Sequence, residues 1–190
     1  MAKDSLIRGL VLCLLCCIPV YTTLADDGYC VRVTAASYVG VKEKGGNNMG
    51  FNSPPFTALM IESGWQKGHA WCAYFVRAML NECGIVNTIN GWAPTAYNRK
   101  DVIFDAGKFL KSFSDGDVLV MTLAYSDIKG RFKNIAHTGI VDKIGKYSVR
   151  TIEGNTNDQG MRDSRTRDGV YYKIRPLSKS IHITRWKKQE

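Results

Sequence analysis

The sequence predicts an α+β fold in which N-terminal helices pack on an antiparallel β-sheet. Residues 29–110 carry apolar side chains mostly at helical spacing, whereas residues 115–186 change to the apolar runs that are typical of strands. The 190 residues are 45% hydrophobic and 23% charged, which suits a globular chain with one core. No linker is long enough to divide this chain into separate domains.

Residues 1–25 predict a secretory signal peptide that is not part of the domain. Two basic residues precede an apolar run of 13 residues, which is too short to span a bilayer comfortably. Thr23 and Ala25 occupy the positions that a signal peptidase recognises, so we expect cleavage after Ala25. Residues 26–190 then form one secreted or periplasmic domain with no stable membrane span.

Two alternatives for this N-terminal segment stay open. One is an uncleaved membrane anchor. The other is a lipid anchor at Cys16 or Cys17, because LLCC loosely resembles a lipoprotein box. The small residues that normally precede a lipidated cysteine are missing there.

The chain is basic, which bears on its partners. Its formal net charge of +9 falls to +8 after cleavage, because the removed segment contains Lys3, Arg8 and Asp4. A secreted basic protein favours anionic surfaces such as bacterial cell wall, anionic lipid or nucleic acid. No nucleic-acid-binding motif accompanies the scattered basic residues, so we expect no nucleic-acid partner. A solubilising surface charge explains the excess equally well.

Two helices are predicted in the first part of the chain. Residues 29–41 are apolar at helical spacing, and this helix is expected to end near Gly40. A loop rich in turn formers follows. Ser53 then has the side chain of an N-cap, two prolines suit the first helical turn, and Gly64 ends the second helix.

A third helix begins at Ala70 or Trp71. Its apolar residues, at positions 72, 75, 76, 79, 80 and 83, form one stripe, and Gly84 fits a left-handed C-terminal cap. Cys72 therefore lies in or just before the first helical turn. Unpaired N–H groups and the helix dipole favour a thiolate at such a position.

The second part of the chain predicts a set of strands and a hairpin. The hairpin turn is expected at residues 144–146, and the polar stretch 154–169 is expected to be a loop between strands. The predicted strands are GDVLVMTLAY, HTGIVDKI, KYSVRTIEG, VYYKIRP and SIHITRW.

Three cysteines remain after cleavage, namely Cys30, Cys72 and Cys83. An odd number in an oxidising compartment leaves at least one thiol unpaired within the chain. Cys30 and Cys83 could pair, although nothing in the sequence places them close together. Cys72 is the one placed for nucleophilic chemistry, and a buried core cysteine is the alternative interpretation.

A nucleophilic cysteine needs a base, and the chain has three histidines. His69 is only three residues before Cys72 and is not assumed to be well aimed. His182 lies in an expected edge strand near the C-terminus. His137 is expected to open a strand directly after a polar loop, where its ring can face a groove.

Glu153 is the predicted partner of His137. A hairpin symmetric about residue 145 would pair these two residues, and a carboxylate there would orient the imidazole and stabilise its charged form. Asn155 would project from the same face if the strand continues. Taken alone, Glu153 could instead be a surface carboxylate.

These residues resemble a known family. WCAYFVRAMLNECGI, followed by GDVLVM, HTGIV and TIEGNT, is similar to the cysteine, histidine-dependent amidohydrolase/peptidase (CHAP) family. The resemblance covers nearly all of residues 31–176. It implies a compact papain-like fold related to NlpC-type peptidases, and cleavage of amide bonds in peptidoglycan by an amidase or an endopeptidase.

The resemblance also implies roles for single residues. Cys72 would be the nucleophile, His137 the general base and later the acid, and Glu153 and Asn155 further polar members of the site. Glu43 matches a family position whose role the sequence does not explain. Three more residues are weaker candidates for oxyanion or substrate contacts, with a plain loop or core position as the alternative: Gln66, Trp71 and Trp92.

The expected chemistry needs no metal and no organic cofactor. The expected partner is peptidoglycan as substrate. An antibacterial toxin of the same chemistry would also need an immunity or inhibitor protein. A catalytically silent wall-binding module and a protease of protein substrates are the remaining alternatives.

Overall fold

The computed structural model describes residues 26–126, 132–157 and 168–188. The predicted signal peptide, the predicted lipid anchor at Cys16 or Cys17 and most of the predicted loop 154–169 lie outside the described residues. Within the described residues, no helix has the length and apolar character needed to cross a membrane.

The described chain is α+β, with three helices and one seven-stranded antiparallel sheet. The helices come first, as predicted, and a short 3-10 turn at Ala93–Ala96 separates them from the strands. The helices are α1 (Asp27–Ser37), α2 (Pro54–Glu62) and α3 (Cys72–Glu82). The strands are β1 (Val102–Asp105), β2 (Lys108–Phe109), β3 (Val118–Ser126), β4 (Phe132–Ile144), β5 (Ser148–Thr156), β6 (Gly169–Pro176) and β7 (Ile181–Trp186).

The predicted ends of α2 and the predicted C-terminal end of α3 are confirmed by their caps, whereas α1 ends at Ser37, before the predicted Gly40. The Ser53 hydroxyl accepts a hydrogen bond from the backbone N–H of Phe56 at 3.4 Å, and two prolines form the first turn of α2. Gly64 and Gly84 follow α2 and α3 with φ of 95° and 69°, in the left-handed region that glycine enters without strain.

The sheet has the order β2-β1-β7-β3-β4-β5-β6. The prediction that residues 29–110 are mostly helical is wrong at its end, where β1 and β2 form an outer edge. Local pattern could not reveal these short strands. They exist because β1 pairs with the distant β7, with Phe104 opposite Ile183.

Apolar side chains on the two faces of the sheet form two clusters. The larger one buries α3 against the sheet, with Phe75 and Leu80 of the helix packed beside Val120 and Ile152. Gly154 makes this packing possible, because a Cβ at that position would lie 2.4 Å from the Trp71 ring. The start of α3 therefore rests directly on β5.

A disulfide joins Cys30 of α1 to Cys83 at the end of α3, with 6.0 Å between the two Cα atoms. The sequence left this pairing open. Cys72 is the one cysteine in the described part of the chain that is not in a disulfide.

Breaking this disulfide by a Cys30→Ser/Cys83→Ser double substitution is expected to destabilise the fold. The bridge closes a loop across a sequence separation of 53 residues, and chain entropy alone predicts a loss of about 4 kcal/mol in the free energy of unfolding. Urea unfolding of the oxidised wild type and of the double variant measures this loss. Equal midpoints and slopes would show that the bridge contributes nothing.

Candidate active site

Cys72 is the first residue of α3, so the helix begins one or two residues after the predicted Ala70 or Trp71. The prediction that Cys72 lies in or just before the first helical turn is confirmed. Trp71 is the N-cap and offers no side-chain hydrogen bond to the helix. The N–H groups of the first turn are therefore not capped by a side chain. Cys72 is only 6% exposed, so the thiol lies just beneath the surface.

His137 lies within β4, and the prediction that it opens a strand is wrong. The strand begins at Phe132, because Phe132 and Ile135 also pair with β3. The pairing is irregular at this point: His137 is opposite Leu123, whereas Ile135 is opposite Ala124. Such a bulge changes the direction of a side chain relative to a regular strand.

The imidazole of His137 joins the thiol to a carboxylate. Its Nε2 lies 2.8 Å from Oε2 of Glu153, and both side chains are buried. Cys72 also interacts with this imidazole and raises its pKa. Because Nε2 is engaged by Glu153, Nδ1 is the nitrogen left for the thiol. The predicted approach of His137 and Glu153 is confirmed.

The register behind this contact differs from the predicted one. Ile140 is opposite Ile152, and one further step in that register places Glu153 level with Gly139 and not with His137. A Cβ on Gly139 would lie 2.6 Å from Cγ of Glu153. The glycine therefore leaves the space through which Glu153 reaches diagonally to His137.

Replacing Gly139 with alanine is expected to separate Glu153 from His137. The new Cβ would also lie 2.9 Å from the backbone oxygen of Ile152, so the strands or the carboxylate must move. We expect a loss of about 1–3 kcal/mol in unfolding free energy from this overpacking. Chemical denaturation measures it. Gly145→Ala in the same hairpin is the control, since its nearest atom would be 3.3 Å away; equal losses in both variants would contradict this explanation.

Two residues that no sequence motif singled out, Thr151 and Arg175, hold Glu153 in place. The Thr151 hydroxyl donates to Oε1 at 2.5 Å. Arg175 donates from Nε to Oε1 at 3.0 Å and from its terminal nitrogen to Oε2 at 2.6 Å. This two-pronged contact fixes the carboxylate plane. Thr151 could have been found as the residue two positions before Glu153, but Arg175 required the pairing of β6 with β5.

The ionisation of this pair follows from its contacts. Burial alone would lower the pKa of His137, but its hydrogen bonds to Cys72 and Glu153, together with their charges, raise it well above the usual 6.5. Burial alone would raise the pKa of Glu153. The hydrogen bond and charge of His137, followed by those of Arg175, instead hold that pKa far below 4.5. The site therefore favours an imidazolium next to a carboxylate.

Asn155 does not occupy the predicted position on a continuous strand. The register shifts between Glu153 and Thr156, and Asn155 has a left-handed φ of 57°. Asparagine tolerates this conformation better than most residues. The strand alternation that would have placed Asn155 beside Glu153 is thus interrupted. The Asn155 side chain forms no hydrogen bond with His137, Glu153 or Cys72 of the described chain.

Trp71 packs in the core and does not line a groove. Its ring is fully buried and contacts Phe51 and Phe75 edge to face. Its indole Nε1 donates to Oε1 of Glu43 at 2.7 Å, which supplies the structural role that the sequence could not give to Glu43. Burial raises the pKa of Glu43, while this hydrogen bond opposes the shift. The contact with Glu43 therefore anchors Trp71, the residue directly before Cys72.

Gln66 and Trp92 are both exposed. Gln66 belongs to the turn before α3, where its backbone oxygen accepts from the N–H of His69. Trp92 precedes the 3-10 turn and is 64% exposed. The alternative interpretation, that Trp92 packs in the core, is therefore wrong. No described contact joins either side chain to Cys72, and their substrate or oxyanion roles stay predictions.

The other two histidines do not belong to this site. His69 is exposed in the turn before α3, and the His182 ring forms a hydrogen bond with the Asp105 carboxylate.

Comparison of this chain with protein-family models, curated proteins and solved structures found no match. The interpretation of the site therefore depends on its own geometry.

Proposed function

We propose that the chain is an exported cysteine hydrolase that cleaves amide bonds of peptidoglycan. The single observation that carries this proposal is the buried chain of contacts from Cys72 through His137 to Glu153. A thiol at a helix start, next to an imidazole that a carboxylate orients, is the arrangement of an activated nucleophile. The α+β architecture is compatible with the papain-like fold that we propose for it.

In the proposed reaction the thiol first transfers its proton to His137. The thiolate attacks the scissile carbonyl carbon, and the backbone N–H of Cys72, at the start of α3, donates to the oxyanion that develops. The imidazolium protonates the leaving amine as the C–N bond breaks, which leaves a thioester. His137 then takes a proton from water as that water attacks the thioester, and the released carboxylate and thiol complete the cycle. Glu153 keeps the ring oriented and stabilises its charge throughout.

Peptidoglycan is proposed as the substrate on two grounds. The sequence blocks around Cys72, His137 and Glu153 resemble those of CHAP enzymes that cut this polymer. The basic chain, with its predicted export signal, would also meet an anionic cell envelope. Neither ground distinguishes an N-acetylmuramoyl-L-alanine amidase from a peptide-stem endopeptidase.

Digestion of purified sacculi by residues 26–190 tests this function. We expect soluble fragments from the wild type and none from Cys72→Ala, and mass spectrometry of the fragments identifies the bond that is cut. Sedimentation of the protein with sacculi, without released fragments or new amino groups, would instead indicate a silent binding module. Cleavage of casein without cleavage of sacculi would indicate a protease of protein substrates.

A further inference from the structure

A basic cleft of about 490 Å³ lies away from the Cys72 site and shares none of its residues. It is formed by the loop after α3, the segment that follows the 3-10 turn, and the end of β7. Its volume falls in the usual range for ligand pockets. Five basic residues and a single acidic residue line the cleft: Arg99, Lys100, Arg185, Lys187, Lys188 and Asp101.

Two of the basic residues in this cleft are neutralised by the protein. Arg185 lies near Asp101 and Asp117, with its Nε 3.8 Å and 3.3 Å from their carboxylates. Lys188 forms an ion pair with Asp27 at 2.8 Å. Asp101 is itself paired with Lys111 outside the cleft, at 2.7 Å. The one acidic side chain of the cleft lining is therefore already paired and does not neutralise the remaining basic residues.

Three basic residues stay without an acidic partner in the described chain, namely Arg99, Lys100 and Lys187. All three are exposed. Like charges gathered around one concave site repel one another, and a bound anion would relieve that repulsion. Arginine and lysine together suit phosphate, since the guanidinium binds oxygens in pairs and the ammonium acts as a point charge.

The backbone beneath these side chains is held in place. The Arg185 N–H donates to the Asp101 carbonyl at 2.8 Å. Asn98 Nδ2 donates to the Arg185 carbonyl at 2.7 Å, and the Asn98 N–H donates to the Thr184 hydroxyl at 3.3 Å. The segment that carries Arg99 and Lys100 is thereby tied to the end of β7. A preformed site loses less freedom on binding than a loose one.

We propose that this cleft binds a ligand that carries two or more phosphate groups and is not a nucleic acid. Three unpaired cations match a ligand with two or more negative charges. A nucleic acid fits less well, because the two aromatic residues of the lining are already engaged: Trp186 is buried, and the Tyr97 ring packs against His182. Such a site would hold the protein on an anionic polymer while the distant Cys72 site remains free.

Calorimetric titration of residues 26–190 with a glycerol-phosphate oligomer, and separately with pyrophosphate, tests the proposal. Binding of either probe supports phosphate recognition. Comparison of the two dissociation constants then shows whether the cleft prefers a phosphate polymer or a small free phosphate. In the Arg99→Ala/Lys100→Ala/Lys187→Ala variant we expect affinity to fall about tenfold or more. The slope of log K against log salt should also become shallower by about 2.

The matched control is Lys108→Ala/Lys146→Ala/Lys179→Ala, which removes the same charge from exposed positions outside the cleft. It should bind like the wild type. Cys72→Ala should also bind normally, so this test does not depend on hydrolysis. The proposal is overturned if neither probe binds, if both triple variants lose affinity equally, or if a single-stranded oligonucleotide with the same number of phosphates binds more tightly than the oligomer.

Discussion

Replacing Cys72 with serine is expected to leave the fold intact and to reduce hydrolysis of peptidoglycan amides by about a thousandfold or more. A hydroxyl gives up its proton far less readily than a thiol, and His137 is the base that interacts with this position in the described chain. Release of soluble fragments from sacculi, followed under conditions where rate is proportional to enzyme concentration, measures the loss.

The same variant must be shown to be folded. Cys72 is 6% exposed and has no covalent partner, so we expect the unfolding free energy to change by no more than about 1 kcal/mol. Serine retains most of the volume of the side chain. Near wild-type turnover by Cys72→Ser, in a preparation that unfolds like the wild type, would show that another group is the nucleophile.

Replacing Glu153 with glutamine is expected to be the most destabilising single change in the site. The carboxylate is fully buried and balances both Arg175 and the charged form of His137. Removing one partner of a buried ionic network typically costs about 3–5 kcal/mol, because the remaining charge is left without compensation. Urea unfolding near neutral pH measures this cost. Asp142→Asn is the control, because Asp142 pairs with the exposed Arg150 and should contribute less than about 1 kcal/mol.

The pH dependence of this cost distinguishes lost charge from lost packing. The folded state holds the pKa of Glu153 below its usual 4.5, so its stabilising effect is present above that pH. It is lost as the pH falls through the folded pKa. We therefore expect the wild type and Glu153→Gln to differ most near neutral pH and to converge in acid. A difference that does not change with pH would mean that glutamine disturbs packing alone.

Local sequence signals predicted the parts of the fold that local interactions determine. The N-cap at Ser53, the glycines that end α2 and α3, and the position of Cys72 in the first turn of α3 all follow from rules that span one helical turn. The hairpin turn between β4 and β5 was also found this way. The approach of His137 to Glu153 followed from that turn, although the register did not.

The remaining features depend on contacts between distant segments. The disulfide joins residues 53 apart in sequence, β1 pairs with β7, and Arg175 reaches Glu153 across the β5–β6 pairing. No short window of sequence contains both partners of such a contact. Bulges near His137 and Asn155 also moved side chains away from the alternation of a regular strand, which a pattern with period two cannot anticipate.

The rate at which iodoacetamide modifies Cys72 tests the central claim most directly, because it probes the thiol without any assumption about substrate. The chain from residue 26 has one thiol outside the disulfide, so intact mass reports Cys72 alone. At about pH 6, contact with His137 should make the wild-type thiol react about tenfold or more faster than that of a folded His137→Ala variant. Equal rates in the two proteins would contradict the claim that His137 activates Cys72.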